Sequence, residues 1–280
     1  MLFNQGITTM KTYRSFIALL VVLGSANLSA QNLHTTFQIT PYVDIHGYSW
    51  KEFDNAGAEL LKESGPRFSF GVVPRFSFLQ KKNLYTEMDF RYALGTVDYD
   101  GFVQDQTGAR TPFTTQTVYA GFKLSATIGY NAELSRTFEV TPVVGFGYEF
   151  WKRDLANGGP NGYDEKYTVV LGSAGVIGTY VLTPNAQFFS AFLLEFPFSI
   201  SESIDRYPRV NTTHFNIELS PGNNPRFIVQ AGASVYRVLG VLYFETWTLS
   251  KSPDVQGGLH QPESTRKYFG IKVGYTIGVM

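Results

Sequence analysis

The chain has 280 residues, no cysteine, and 23 basic against 23 acidic side chains. Only 16% of residues are charged, against about 25% in an ordinary domain, while aromatics also reach 16%, with 24 Phe, 17 Tyr and a generous 27 Gly. This profile excludes a disordered chain, which would be richer in charge and poorer in aromatics. It excludes a nucleic-acid binder, which carries a basic excess or stripe, and a disulfide scaffold. A helical membrane protein needs apolar runs of about 18 residues or more, and none occurs. Together these features point to β-structure with an apolar outside.

Residues 1–30 read as a secretory signal peptide. Lys11 and Arg14 form a positive start, Phe16 to Leu23 an apolar run too short to span a bilayer, and Ser25 to Ala30 a small-residue cleavage site. Cleavage after Ala30 leaves Gln31 first, and Met10 is an alternative start because it sets the charges at the usual distance from the apolar run. Loss of this segment removes two bases and no acid, which gives the mature chain a net charge of −2. With no Cys after the cleavage site, a lipoprotein anchor is not expected. Residues 31–280 then form one domain.

Period two dominates that domain. Successive strand side chains point to opposite faces, and ten segments split in this way. The first is 36–50, followed by 67–79. In 84–96, Leu84, Met88, Phe90, Tyr92 and Leu94 face one way and Glu87, Asp89 and Arg91 the other. After 115–130 comes 137–151, where Phe138, Val140, Pro142, Val144, Phe146, Tyr148 and Phe150 share one face opposite Glu139, Thr141, Gly145, Gly147 and Glu149. Segment 165–182 alternates poorly, 187–203 better, and 207–219 is able to add a hairpin arm. Segments 225–236, 241–250 and 266–279 complete the set. Pro41, Pro74 and Pro142 cannot donate to a ladder, so they are expected at bulges or near strand ends. Residues 37–51 align with 138–152 without a gap, Trp50 on Trp151, so these two strands run in the same direction.

The connections alternate long and short. The long ones are 51–66, 97–114, 152–164, 204–224 and 251–265; the short ones are 80–83, 131–136, 183–186 and 237–240. Strict alternation puts every long loop at one end, as in outer-membrane barrels. A soluble β-sandwich also alternates, but its apolar face turns inward. Here the polar face is small and Gly-rich and the apolar face is crowded with Phe. The expected fold is therefore all-β, a closed antiparallel transmembrane barrel of ten strands, with eight and twelve as alternatives. Closure is required because an open edge leaves backbone groups unpaired in hydrocarbon.

Three stretches carry a family resemblance: FRYALGTVDYDG at 90–101, FEVTPVVGFGYEFWKRD at 138–154 and PESTRKYFGIKVGYTIG at 262–278. On these the chain resembles the small, porin-like bacterial outer-membrane β-barrel proteins, most of them uncharacterised. The resemblance implies an outer-membrane address in a Gram-negative-type bacterium and a monomer in contact with membrane lipid and lipopolysaccharide. It also implies passage by periplasmic chaperones and the outer-membrane insertion machinery. The last strand is similar to the signal that machinery reads, with Phe269, Ile271, Val273, Tyr275 and Ile277 on one face, but it ends in Val279-Met280 in place of the usual Phe.

Parity also selects the lumen. Asp44, Arg67, Arg75, Glu87, Asp89, Arg91, Lys123, Glu139, Glu149, Glu195, Glu245 and Lys272 are expected to face inward. A lumen of about ten strands lies near the filled end of the barrel range, so these charges form either a salt-bridged plug or a narrow aqueous path with slight cation preference. Trp50, Trp151 and Trp247 sit near the long-loop ends. By parity they point inward, with Tyr48, Glu149 and Glu245 two residues below them, an arrangement able to stack an apolar or sugar-like ligand and hydrogen-bond its polar part. The alternative is an interfacial girdle reached through one bulge per strand.

Enzyme signals are weak. There is no G-x-S-x-G elbow, and His34, His46, His214 and His260 lack metal-ligand spacing, so neither a catalytic set nor a metal or cofactor is expected. Ten strands are also the number in the omptin proteases, which use external carboxylates and a histidine. Asp98-x-Asp100 echoes that pattern, but Asp205 and His214 are too far apart to supply its second half. The sequence thus leads to a binding or structural barrel or narrow passive channel, with an omptin-like protease, a lipid-modifying enzyme and a surface adhesin as alternatives.

Overall fold

The computed structural model describes residues 36–78, 83–104, 110–155, 163–206, 215–255 and 260–279. The expected signal peptide, His34, His214 and the final Met280 lie outside the described residues.

Ten antiparallel strands make the wall: β1 (Thr36–Phe53), β2 (Glu59–Phe78), β3 (Leu84–Gln104), β4 (Arg110–Tyr130), β6 (Phe138–Asp154), β7 (Tyr163–Thr183), β8 (Ala186–Arg206), β10 (Gly222–Val235), β11 (Val238–Ser250) and β12 (Glu263–Tyr275). Each pairs with the next around the ring, β12 pairs with β1, and β8 pairs with β10, which closes the barrel. Three short pieces attach to it. β5 (Ala132–Glu133) folds back on β6, β9 (Phe215–Leu219) pairs antiparallel with the outer end of β8, and β13 (Ile277–Val279) continues β12 along β1. β9 lies within the stretch where an extra arm was expected.

The first two of the expected long connections are largely strand, while the last, 251–265, is strand only from Glu263. The first shrinks from 51–66 to 54–58, because β1 and β2 pair up to Phe53↔Glu59, and β3 and β4 pair up to Gln104↔Arg110. Beyond the apolar belt the outward positions turn polar, as at Lys62, Ser64, Asp98 and Asp100, so the sequence there loses the contrast that marks a half-buried strand.

Pro41, Pro74 and Pro142 do not mark bulges. Each falls where one ladder is interrupted without a change of register. Pro41 lies between the Tyr42↔Gly274 and Ile39↔Ile277 pairs, the break that separates β12 from β13. Pro74 lies between Val72↔Phe90 and Arg75↔Glu87, and Pro142 just past Gly129↔Val143, where the β4–β6 ladder ends. A missing N–H is tolerated where the ladder has no bond to lose. The register shifts occur at Glu52/Phe53, Val170/Leu171, Val181/Thr183 and Asn223/Arg226, and two of them do involve prolines, Pro197 opposite Leu171 and Pro225 between Asn223 and Arg226.

The barrel is apolar outside, and within it charged and aromatic side chains are mixed with aliphatic ones such as Val97, Val169 and Leu171. Val43 is 59% exposed, Val144 60% and Phe269 62%. Tyr130, Tyr180, Tyr236 and Tyr275 ring the outside near the short-turn end, where amphipathic rings suit a membrane–water boundary. Inside, large side chains crowd against glycines. A Cβ on Gly71 would meet the Tyr42 hydroxyl at 2.5 Å, and one on Gly121 would meet Trp151 Cβ at 2.6 Å.

Candidate functional site

The interior is layered along the barrel axis. At the short-turn end a cavity of ≈ 620 Å³ runs from Asn185 and Arg237 in the turns up to Arg91, Lys123, Glu195 and Glu245. Its wall is mixed: five bases and four acids share it with apolar side chains such as Val143, Ile177, Phe189, Leu193 and Ile228. Arg75 lies 3.6 Å over the Tyr85 ring and is paired in register with Glu87. Lys272 stands 3.8 Å from Asp89 and 4.2 Å over Tyr42, whose hydroxyl donates to Asp89 at 2.7 Å. Glu139 sits half-buried near the lower rim of β6.

Above this vestibule a layer of ion pairs crosses the lumen. Arg226 contacts Glu149 at 2.6 Å, Glu195 at 3.0 Å and Glu245 at 3.4 Å, and Arg266 contacts Glu149 at 3.0 Å and Glu245 at 3.5 Å. Lys123 donates to Glu195. Asp44 accepts from the Tyr243 hydroxyl at 2.9 Å and lies 3.4 Å from His46.

The three tryptophans cap this layer. All point inward, because no register shift falls between the belt and Trp50, Trp151 or Trp247 on their own strands; the interfacial girdle is not formed by them. Trp50, Arg266, Trp247 and Arg226 stand side by side on four adjacent strands. Arg226 lies 4.3 Å over Trp247 and Arg266 4.5 Å over Trp151. Trp151 in turn stacks on Tyr167 at 4.6 Å with the planes 6° apart. Tyr48 donates to Tyr119 at 3.0 Å and packs against Tyr268. Glu149 and Glu245, expected to be free for a ligand, are engaged by guanidinium groups. Trp50 and Trp247 are each 1% exposed, so their faces are covered by neighbouring side chains.

A second, acidic layer lies further out. Arg153 contacts Glu165 at 2.6 Å, Glu63 at 2.9 Å and Glu52 at 3.5 Å. Thr117 donates to Glu63 at 2.7 Å, and so does the Tyr119 hydroxyl. The amide of Gln261 lies between Glu52, at 3.4 Å, and Glu202, at 2.9 Å. All four carboxylates are buried.

The parity list therefore names inward residues, but it misses Glu52, Glu63, Arg153, Glu165, Glu202, Arg226 and Arg266. Arg226 and Arg266 share the parity of Ile228 and Tyr268, so the signal was present at the ends of their segments. Glu52, Glu63 and Arg153 fell in stretches read as loops. Asp98 and Asp100 lie exposed on the outer side of β3. Among the described residues, no three His, Asp or Glu side chains are placed to hold a metal ion.

This is a closed ten-stranded barrel with an apolar exterior and a charged, aromatic interior, the architecture of bacterial outer-membrane β-barrel proteins. Among solved structures the chain is similar to the outer-membrane protease OmpT from Escherichia coli, with a TM-score of 0.58 at 9% identity, over 90% of this chain and 100% of that one. It also matches the translocator domain of the autotransporter NalP from Neisseria meningitidis, with a TM-score of 0.39 at 14% identity over 96% of each chain. A third match is a major outer membrane protein from Thermus thermophilus, with a TM-score of 0.39 at 12% identity over 84% of this chain and 99% of that one. No protein-family model and no curated protein sequence matches the chain.

Proposed function

We propose that the protein is a monomeric, non-enzymatic barrel of the outer membrane that admits small polar solutes into its lumen from the periplasmic side and keeps the outer half shut. The division of the lumen carries this reading. A cavity of ≈ 620 Å³ opens among the short turns, and the Arg226–Arg266–Glu149–Glu245 layer with its tryptophans fills the lumen above it. Mixed charges on the vestibule wall suit a polar solute of low net charge. The apolar belt faces membrane lipid, lipopolysaccharide adjoins its outer rim, and chaperones with the insertion machinery deliver the chain. Transport through the barrel then requires the charged layer to move, so the resting state is a gate and the conducting path is narrow.

Conductance in planar bilayers tests this. The wild-type barrel is expected to be silent under conditions where open porins conduct continuously. The double substitution Arg226→Ala with Trp247→Ala is expected to give discrete conductance steps. Continuous porin-like conductance from the wild type overturns the closed reading; silence in both proteins overturns the gate and leaves a binding barrel.

A further inference from the structure

We propose that the barrel holds one small monovalent anion, of the size and charge of a halide, in a cavity between Arg67 and Arg91. The cavity measures ≈ 20 Å³ and is lined by His46, Arg67, Arg91, Lys123, Glu149 and Trp151 among others. That volume suits a single water-sized species. It lies at the level of the ion-pair layer and adjoins the top of the vestibule, with which it shares Arg91 and Lys123.

The first observation is a local excess of one positive charge, at a level below the acidic layer around Arg153. At this level Arg67, Arg91, Lys123, Arg226 and Arg266 face Asp44, Glu149, Glu195 and Glu245, with His46 beside Asp44. The carboxylates are already taken. Glu149 is held by Arg226 and Arg266, Glu195 by Lys123 and Arg226, and Asp44 by Tyr243 and His46. Glu63, four residues from Arg67 on β2, is held by Arg153, Thr117 and Tyr119.

The second observation is a set of unused donors. Arg67 is 3% exposed, yet among the described residues no carboxylate lies within 4.0 Å of it. Its guanidinium rests 4.6 Å over Tyr119 and 4.9 Å over Tyr48, Nη1 reaches the Tyr268 hydroxyl at 3.5 Å, and Nε has no partner. The indole Nε1 of Trp151, also 3% exposed, has none either. Arg91 opens onto the same cavity, likewise without a carboxylate in ion-pair range.

A buried guanidinium without a counter-charge is costly. A water molecule would accept hydrogen bonds from these donors but would leave the charge uncompensated. A monovalent anion accepts from guanidinium and indole alike and balances the excess. A divalent anion would overshoot it and exceed the space.

The test uses the whole barrel. Crystals grown in bromide should show one anomalous peak in the cavity, within hydrogen-bonding reach of Arg67, Arg91 and Trp151. The peak should vanish in Arg91→Met, a substitution at a half-buried position. In solution, titration from chloride-free gluconate buffer into chloride at constant ionic strength should stabilise the wild type. The folding equilibrium should shift roughly a hundredfold at a hundred times Kd, and Arg91→Met should respond little. Water density without an anomalous signal overturns the proposal, as does a peak that persists unchanged in Arg91→Met. A peak with no chloride-dependent stability means an adventitious ion only and also overturns it. If Arg91→Met does not fold, the two wild-type measurements still decide.

Discussion

Arg153→Met removes the guanidinium around which Glu52, Glu63 and Glu165 gather. The side chain is 1% exposed and meets those carboxylates at 3.5, 2.9 and 2.6 Å. Methionine fills much of the same volume, so the loss is electrostatic and not a cavity. Each carboxylate keeps some neutral donors: Glu63 those of Thr117 and Tyr119, Glu165 the Tyr167 hydroxyl at 3.1 Å, and Glu52 the Trp50 indole at 2.9 Å. Removing one partner of a buried pair costs about 3–5 kcal/mol. Three carboxylates share one cation here, and their remaining donors soften the loss, so the expected cost is about 3–5 kcal/mol in total and not three times that. Urea titration of the barrel in lipid vesicles, with linear extrapolation, measures it. Arg153→Lys keeps the charge but not the planar fork and should fall between the two. In a Glu63→Gln, Glu165→Gln background, Arg153→Met should cost much less, because fewer charges remain uncompensated. A wild-type stability within about 0.5 kcal/mol for Arg153→Met would refute the assignment of this layer as a cation-dependent network.

Three further outcomes are expected. Val43→Arg, at a position 59% exposed on the outer belt, should cost about 2–4 kcal/mol in a bilayer; a soluble sandwich would tolerate a charge on an exposed face, so a neutral result counts against the membrane reading. Gly121→Ala would bring Cβ to 2.4 Å from the Phe150 carbonyl and 2.6 Å from Trp151 Cβ, and this overpacking should cost about 1–3 kcal/mol by the same urea titration. In the β1–β2 hairpin the amides of Ala58 and Ala56 donate to Asp54 at 2.9 Å and hold its carboxyl below the usual 3.8. A lowered pKa stabilises the turn above the unfolded value, and this is lost as pH falls through the folded one. The amide NMR shifts of Ala56 and Ala58 should therefore titrate with a midpoint below 3.8; a midpoint at or above it refutes the two bonds.

The wall was legible because it follows from a local property. Side chains alternate along any extended backbone, so Glu87, Asp89 and Arg91 could be set against Met88 and Phe90 without knowing any partner strand. The same rule put Trp50, Trp151 and Trp247 inside. It failed above the belt, where both faces of a strand are polar. Glu52, Glu63 and Arg153 therefore looked like loop residues, although they continue the parity of Trp50, Leu61 and Trp151.

Period two in the sequence by itself determined a β-wall, favoured ten strands over eight or twelve, and marked the inward residues within the apolar belt, because alternation depends only on neighbours along the chain. The tertiary structure alone decided which inward residues meet. Arg153 and Glu63 are 90 positions apart, and Arg266 and Glu149 are 117 apart. Ring closure through the β8–β10 ladder and the stagger of the strands bring them to the same height across the lumen. Alternation specifies a face and not a height or a partner, so the same inward charges could have lined an open path. Their meeting as two filled layers above one vestibule is a property of the closed barrel.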